Sequence, residues 1–153
     1  MPIKYVRGDA TVPQAKGPKI IAHIVNDKGG WGKGFVLALS KKWQEPEQYF
    51  RRWYASKDLF ELGAIQVVQV RADTWVANMV AQHGYKAGSN GPPIRYDALR
   101  KCLEHLNIEA GGFKASIHMP KIGTGLSGGR WEIIEPLIQE ILGNREVYVY
   151  TLA

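Results

Sequence analysis

Short apolar runs alternate with amphipathic stretches along the whole of this 153-residue chain. Ile3-Lys4-Tyr5-Val6-Arg7 alternates in the manner of a strand and stops at Gly8-Asp9. Residues 19–26 (KIIAHIVN) are almost continuously apolar, which predicts a central strand buried on both faces. A helix is predicted over 32–42, because Phe35, Leu39 and Trp43 recur at helical spacing. Pro46 suits the first turn of a second helix reaching roughly Tyr54. Residues 64–71 and 75–81 predict two strands joined at Ala72-Asp73, followed by a glycine- and proline-rich loop over 83–93. A helix over 95–110 turns Leu99, Cys102, Leu103 and Leu106 inward; a strand over 116–120 and a helix over 131–142 come next. The last strand, 146–152 (EVYVYTL), is rich in β-branched and aromatic residues. This order predicts an α/β fold, a three-layer α/β/α sandwich around a central mixed sheet, as a single domain over 1–153.

Composition narrows the classes. No apolar run approaches the 18 residues of a membrane span, and the N-terminal MPIKYVRGD lacks the apolar core of a signal peptide, so no membrane partner and a cytoplasmic location are expected. The single cysteine, Cys102, excludes an internal disulfide and a cysteine-rich zinc site. His23, His83, His105 and His118 are scattered without ligand spacing, so neither a metal site nor a cofactor is expected. Lys and Arg number 20 against 14 Asp and Glu, a net charge of +6. The excess falls mostly in the first half, densest at Lys33, Lys41, Lys42, Arg51, Arg52 and Lys57. It favours anionic partners such as nucleotides or nucleic acid, although a solvated helix face would carry the same residues.

Two loops carry the chemistry. After the strand at 19–26, residues 27–34 (DKGGWGKG) hold four glycines in six positions. After the strand at 116–120 comes 121–129 (KIGTGLSGG). Each runs from a strand into a helix, where glycine permits close backbone approach and helix-terminal amides favour an anion. Two such loops at the same edge would grip a diphosphate from both sides. A Walker A loop is absent, because position 27 is Asp and Gly34 follows Lys33. Gly123-Thr-Gly125-Leu-Ser-Gly128 matches G-x-G-x-x-G, but the acid that a dinucleotide fold needs about 20 residues later is missing.

The segments Val6-Arg-Gly-Asp9-Ala10-Thr11, His23-Ile-Val-Asn26-Asp27, Gly30-Trp31-Gly32-Lys33-Gly34 and Pro120-Lys-Ile122-Gly123-Thr124-Gly125-Leu126 resemble the macrodomain family of ADP-ribose-binding modules, nearly end to end and in family order. Within it the chain looks most like the glycohydrolase that removes terminal ADP-ribose from glutamate and the macrodomain of a poly(ADP-ribose)-responsive chromatin-remodelling helicase.

The resemblance implies a ligand site. Asp9, beside Ala10, would accept the adenine amino group, unless it is a turn aspartate. Tyr150 and Leu152 would wall the adenine, with core packing the alternative for Tyr150. Gly32, Lys33 and Gly34, with Ile122, Gly123, Thr124, Gly125, Leu126 and Ser127, would hold the diphosphate. Asn26 and Asp27 would lie beside the distal ribose. Trp31 would shield that pocket or plug the core. The lysine and aspartate on which the glutamate-specific relative relies correspond to Gln82 and Ser127, so its mechanism does not transfer. Asn26, Asp27, Gln82, His83 and Ser127 remain to orient a water, with Asp27 stabilising positive charge at the ribose and His83 either titrating or merely structural. The expected function is hydrolysis of ADP-ribosyl conjugates on protein, nucleic acid or acetate by a monomer. A non-catalytic reader, or an ADP-ribose-1″-phosphate phosphatase, is the alternative.

Overall fold

A computed structural model describes residues 2–84, 91–125 and 127–152. The chain runs β1 (Lys4–Arg7), β2 (Lys19–Asn26), α1 (Phe35–Lys42), α2 (Glu45–Ser56), β3 (Ile65–Arg71), β4 (Thr74–Gln82), α3 (Tyr96–Phe113), β5 (Ser116–Pro120), α4 (Trp131–Leu142) and β6 (Val147–Thr151). The strands form one sheet in the order β1-β6-β5-β2-β4-β3. Every neighbouring pair is parallel except β3 with β4. The mixed sheet lies between α1 and α2 on one face and α3 and α4 on the other, the predicted sandwich.

Strand β2 shows why. Ile20 and Ala22 pack with Leu99, Leu103, Ile134 and Ile138 beneath α3 and α4, whereas Ile21 and Val25 pack with Trp31, Leu39 and Phe50 beneath α1 and α2. A strand covered on both sides needs apolar residues at successive positions, which is the pattern of KIIAHIVN. Burial of these side chains, at about 1.5–3 kcal/mol each, is the main stabilising contribution.

Two helix ends depart by three residues from the sequence reading. Helix α1 starts at Phe35 rather than at 32, because Gly34 lies at φ 82°, outside the helical region. Helix α3 continues through Gly111-Gly112 to Phe113 and closes on left-handed Lys114, whose N–H reaches the carbonyls of Ala110 and Gly111. Gly111 lies beside the Arg145 side chain. A β-carbon at that position would fall 2.6 Å from the Arg145 guanidinium, which is held by Asn107.

Two histidines are built into the sheet face that carries α1 and α2. His23 donates from Nε2 to Asn78 Oδ1 at 2.5 Å, and Asn78 donates in turn to Pro46 O and Gln66 Oε1. His118 lies in a chain. The Tyr150 hydroxyl accepts the Gln14 N–H and donates to His118 Nδ1 at 2.7 Å. His118 Nε2 then donates to Ser116 Oγ, which donates to Pro18 O. The chain ties residues 14–18 across β5 and β6. Burial lowers both histidines to about 4, with Lys19 adding repulsion at His118.

A buried neutral histidine protonates first in the unfolded chain. Its stabilisation is therefore complete above pH 6.5 and is lost as pH falls from 6.5 towards 4. Urea unfolding should show stability falling through this window by up to about 1.4 kcal/mol per pH unit for each histidine. A midpoint that stays level from pH 7 to 5 would contradict this.

Candidate functional site

The parallel pairing brings the ends of β1, β6, β5, β2 and β4 to one edge of the sheet. The loop after β2 leads to α1 on one face, and the loop after β5 leads to α4 on the other, which opens a crevice between adjacent strands. Four inter-strand spacings separate β1 from β4, about 19 Å. Along that edge, in spatial order, stand Asp9, Leu152, the 121–127 loop, the 27–34 loop and Gln82-His83-Gly84.

The glycines of the two loops fall into two groups. A β-carbon on Gly123 (φ 76°) would meet Ile94 at 2.5 Å and Ile134 at 2.9 Å, and one on Gly29 would enter the Tyr54 ring. These glycines are required by the protein's own packing. Around Gly32, Gly34 and Gly125 a β-carbon would meet nothing within 4 Å. Among the described residues the backbone N–H groups of Gly32, Lys33, Gly34, Thr124 and Gly125 make no hydrogen bond. Open space beside unpaired amides on both loops is what an anion requires. Leu126 lies outside the described residues.

The β2–β4 corner is densely bonded. A register shift between Val25 and Asn26 sets Asn26 opposite Gln82. Buried Asn26 accepts the N–H groups of Lys28 and Gly30 on Oδ1, both at 2.9 Å, and so shapes its own loop. Asp27 accepts the Gly84 N–H at 2.9 Å on Oδ1 and meets His83 Nδ1 at 2.6 Å through Oδ2. Ser127 donates to Gln82 Oε1 at 2.5 Å, and Gln82 Nε2 donates to Gly84 O. Ile94 N–H bonds Ser127 O, while Pro93 O accepts His83 N–H, so residues 93–94 close this corner.

Other candidates sit as follows. Asp9 is exposed, and its Oδ1 accepts both the N–H and the hydroxyl of Thr11 at 2.8 Å, the turn arrangement. No described residue bonds its second oxygen. Ala10 is buried beside it, and Leu152 is 80% exposed. Thr124 bonds Lys121 O, and Ile122 is buried in the core beneath α4. Trp31 packs in the other core cluster: its indole N–H donates to Ser40, His23 meets it edge-on and Phe50 lies 5.5 Å away. Of the two positions left open for Trp31, the core is the one observed. Tyr150 is likewise buried, with its hydroxyl engaged by Gln14 and His118. Both oxygens of Asp27 accept within the protein, Oδ1 from Gly84 and Oδ2 from His83. The sequence reading missed this pairing, because its partners lie 56 residues apart. Among the described residues no three His, Cys, Asp or Glu side chains converge as metal ligands.

No family model matches the chain. It is 36% identical over 155 residues to chromodomain-helicase-DNA-binding protein 1-like of Danio rerio, covering 95% of this chain and only 15% of that protein. The ADP-ribose 1″-phosphate phosphatase of Candida albicans is 26% identical, over 98% of this chain and 99% of that protein. A protein of unknown function from Bacteroides thetaiotaomicron superposes with a TM-score of 0.96 at 51% identity, covering 100% and 99% of the two chains. A macrodomain protein from Streptomyces coelicolor gives 0.87 at 47% identity, covering 97% and 98%. DarTG of Thermosipho africanus, solved with ADP-ribose, gives 0.72 at 20% identity over 88% of this chain and 38% of that one, a likeness of fold alone.

The two groups of glycines are separable by substitution. Gly123→Ala is expected to cost about 1–3 kcal/mol in urea unfolding through overpacking, and Asn26→Ala a similar amount through two orphaned N–H groups. Gly125→Ala should stay within about 0.5 kcal/mol of the native protein. Equal losses at Gly123 and Gly125 would remove the distinction.

Proposed function

Because the chain belongs to the macrodomain family, we propose that it binds ADP-ribose along this strand edge and hydrolyses ADP-ribosyl conjugates. One observation supports the reading: along the strand edge the candidate groups follow one another in the order of the ligand parts to which the resemblance assigns them. Asp9 and Leu152 stand at the adenine end. The open amides of Gly32, Lys33, Gly34, Thr124 and Gly125 flank the diphosphate, and Asn26, Asp27, Gln82, His83 and Ser127 surround the distal ribose. Leu152 and half-exposed Val12 supply apolar surface for the base, and Asp9 Oδ2 an acceptor for its amino group. Amides at the start of α1 and on the 123–125 turn supply fixed donors for the diphosphate without a metal ion. The relative from Candida albicans, by its name a phosphatase of ADP-ribose 1″-phosphate, supports a hydrolytic role at this end of the ligand.

The carrier of ADP-ribose is proposed from charge. Exposed Lys33, Lys41, Lys42, Arg52 and Lys57 crowd α1, α2 and their flanks, with Arg52 over the Tyr49 ring and Lys57 over Tyr54. Tyr54 packs against Gly29, so this surface borders the loop at the distal ribose end. It suits a polyanionic carrier, ADP-ribosylated nucleic acid, as well as modified protein. One observation favours the reader instead. Gln82 and Ser127 hold each other at 2.5 Å, and neither offers the reactive amine or the carboxylate found at these positions in the glutamate-specific relative.

Release of ADP-ribose from defined conjugates, read by mass spectrometry, separates these functions. Glutamate-, serine- and arginine-linked protein, modified single-stranded DNA, O-acetyl-ADP-ribose and ADP-ribose 1″-phosphate form the panel. Release from at least one conjugate is expected, with binding to modified DNA weakening steeply as salt rises. Retention of conjugates on immobilised protein without release would make it a reader. A flat salt response would remove nucleic acid as carrier.

A further inference from the structure

Resting on the hydrolase reading, we infer that His83 is the proton acceptor for the attacking water and that Asp27 is the residue that positions it. The pair joins the first residues beyond two neighbouring parallel strands. Asp27 follows β2, His83 follows β4, and the Asp27 N–H donates to Gln82 O at 2.9 Å across the gap. The carboxylate is fixed twice, by the Gly84 N–H on Oδ1 and by His83 Nδ1 on Oδ2. The imidazole is held through its own backbone as well, since His83 N–H donates to Pro93 O at 2.8 Å. An ionised carboxylate accepts only, so the proton of the neutral ring resides on Nδ1 and Nε2 carries a lone pair. Among the described residues nothing bonds Nε2. The Asp27 side chain is 17% exposed and that of His83 49%, so the orienting group is sheltered while the ring opens to the strand edge.

A nucleophile's base oriented from behind by a carboxylate is a recurrent catalytic arrangement. Here the nucleophile is water. Its oxygen forms a bond to C1″ of the distal ribose as the bond from C1″ to the carrier's oxygen breaks, and the electron pair leaves with the carrier. The proton shed by the water passes to Nε2. The imidazolium is stabilised by Asp27 and then loses that proton to solvent. Nothing is oxidised or reduced. The Gln82–Ser127 bond ties Ser127 to the last residue of β4, next to the base.

The test uses a conjugate that the native protein cleaves and in which oxygen links the carrier to C1″. His83→Ala should lower kcat by about 10²–10⁴-fold while ADP-ribose affinity, read by titration calorimetry, is unchanged. Added imidazole should restore part of the turnover to His83→Ala and none to the native protein. Asp27→Asn keeps an acceptor for Gly84 but can offer an amide N–H to Nδ1, which shifts the ring proton to Nε2. It should lower kcat with KM preserved. Native turnover in His83→Ala, or a loss that follows affinity and resists imidazole, overturns the inference and leaves the hydrolase reading standing. A native protein that releases ADP-ribose from no conjugate ends the hydrolase reading, and this inference with it.

Discussion

Parallel pairing of β2 with both β4 and β5 is the constraint on which the rest of the structure depends. It makes β2 a central strand whose faces are covered by the two helix layers, which is why its residues are apolar almost without interruption. It also forces the chain to leave β2 and β5 at the same edge, towards opposite layers. The crevice between the two exits is thus a consequence of topology rather than of any particular loop. The glycines then decide how near a ligand's backbone contacts can come.

Several polar groups inside this frame are satisfied by bonds that also fix distant segments. Asn26 accepts two N–H groups of its own loop, the Tyr150–His118–Ser116 chain anchors residues 14–18, and Asp27 and Gly84 bind the ends of β2 and β4 together. Two of these ties, through Asn26 and through Asp27 with Gly84, lie at the edge where the parallel strands end. Among the described residues, amides of the two loops and His83 Nε2 are left unbonded at that edge.

The sequence made the frame legible where the apolar pattern is strongest. Residues 19–26, 116–120 and 131–142 were bounded as observed, because their apolar spacing leaves no other element able to bury them. Helix ends were less legible. Gly34 at φ 82° and the seating of Arg145 over Gly111 are tertiary facts with no local signature. The two glycine loops could be read from composition and placement alone. Which glycines serve packing could not be, since the side chains that crowd Gly123 come from Ile94 and Ile134. Trp31 has the same chemistry whether it faces a pocket or a core, and only the Ser40 acceptor and the His23 and Phe50 rings decide for the core. The Asp27–His83 pair was invisible as a pair, because it exists only once β2 and β4 are side by side.

Amide chemical-shift mapping during titration with ADP-ribose tests the strand-edge site most directly. The largest shifts are expected at Gly32, Lys33, Gly34, Thr124 and Gly125 together, with smaller ones at Gly8, Asp9 and Gly84 at the two ends. No response, or shifts concentrated away from this edge, such as on the surface formed by Leu62, Arg95 and Lys101, would contradict it.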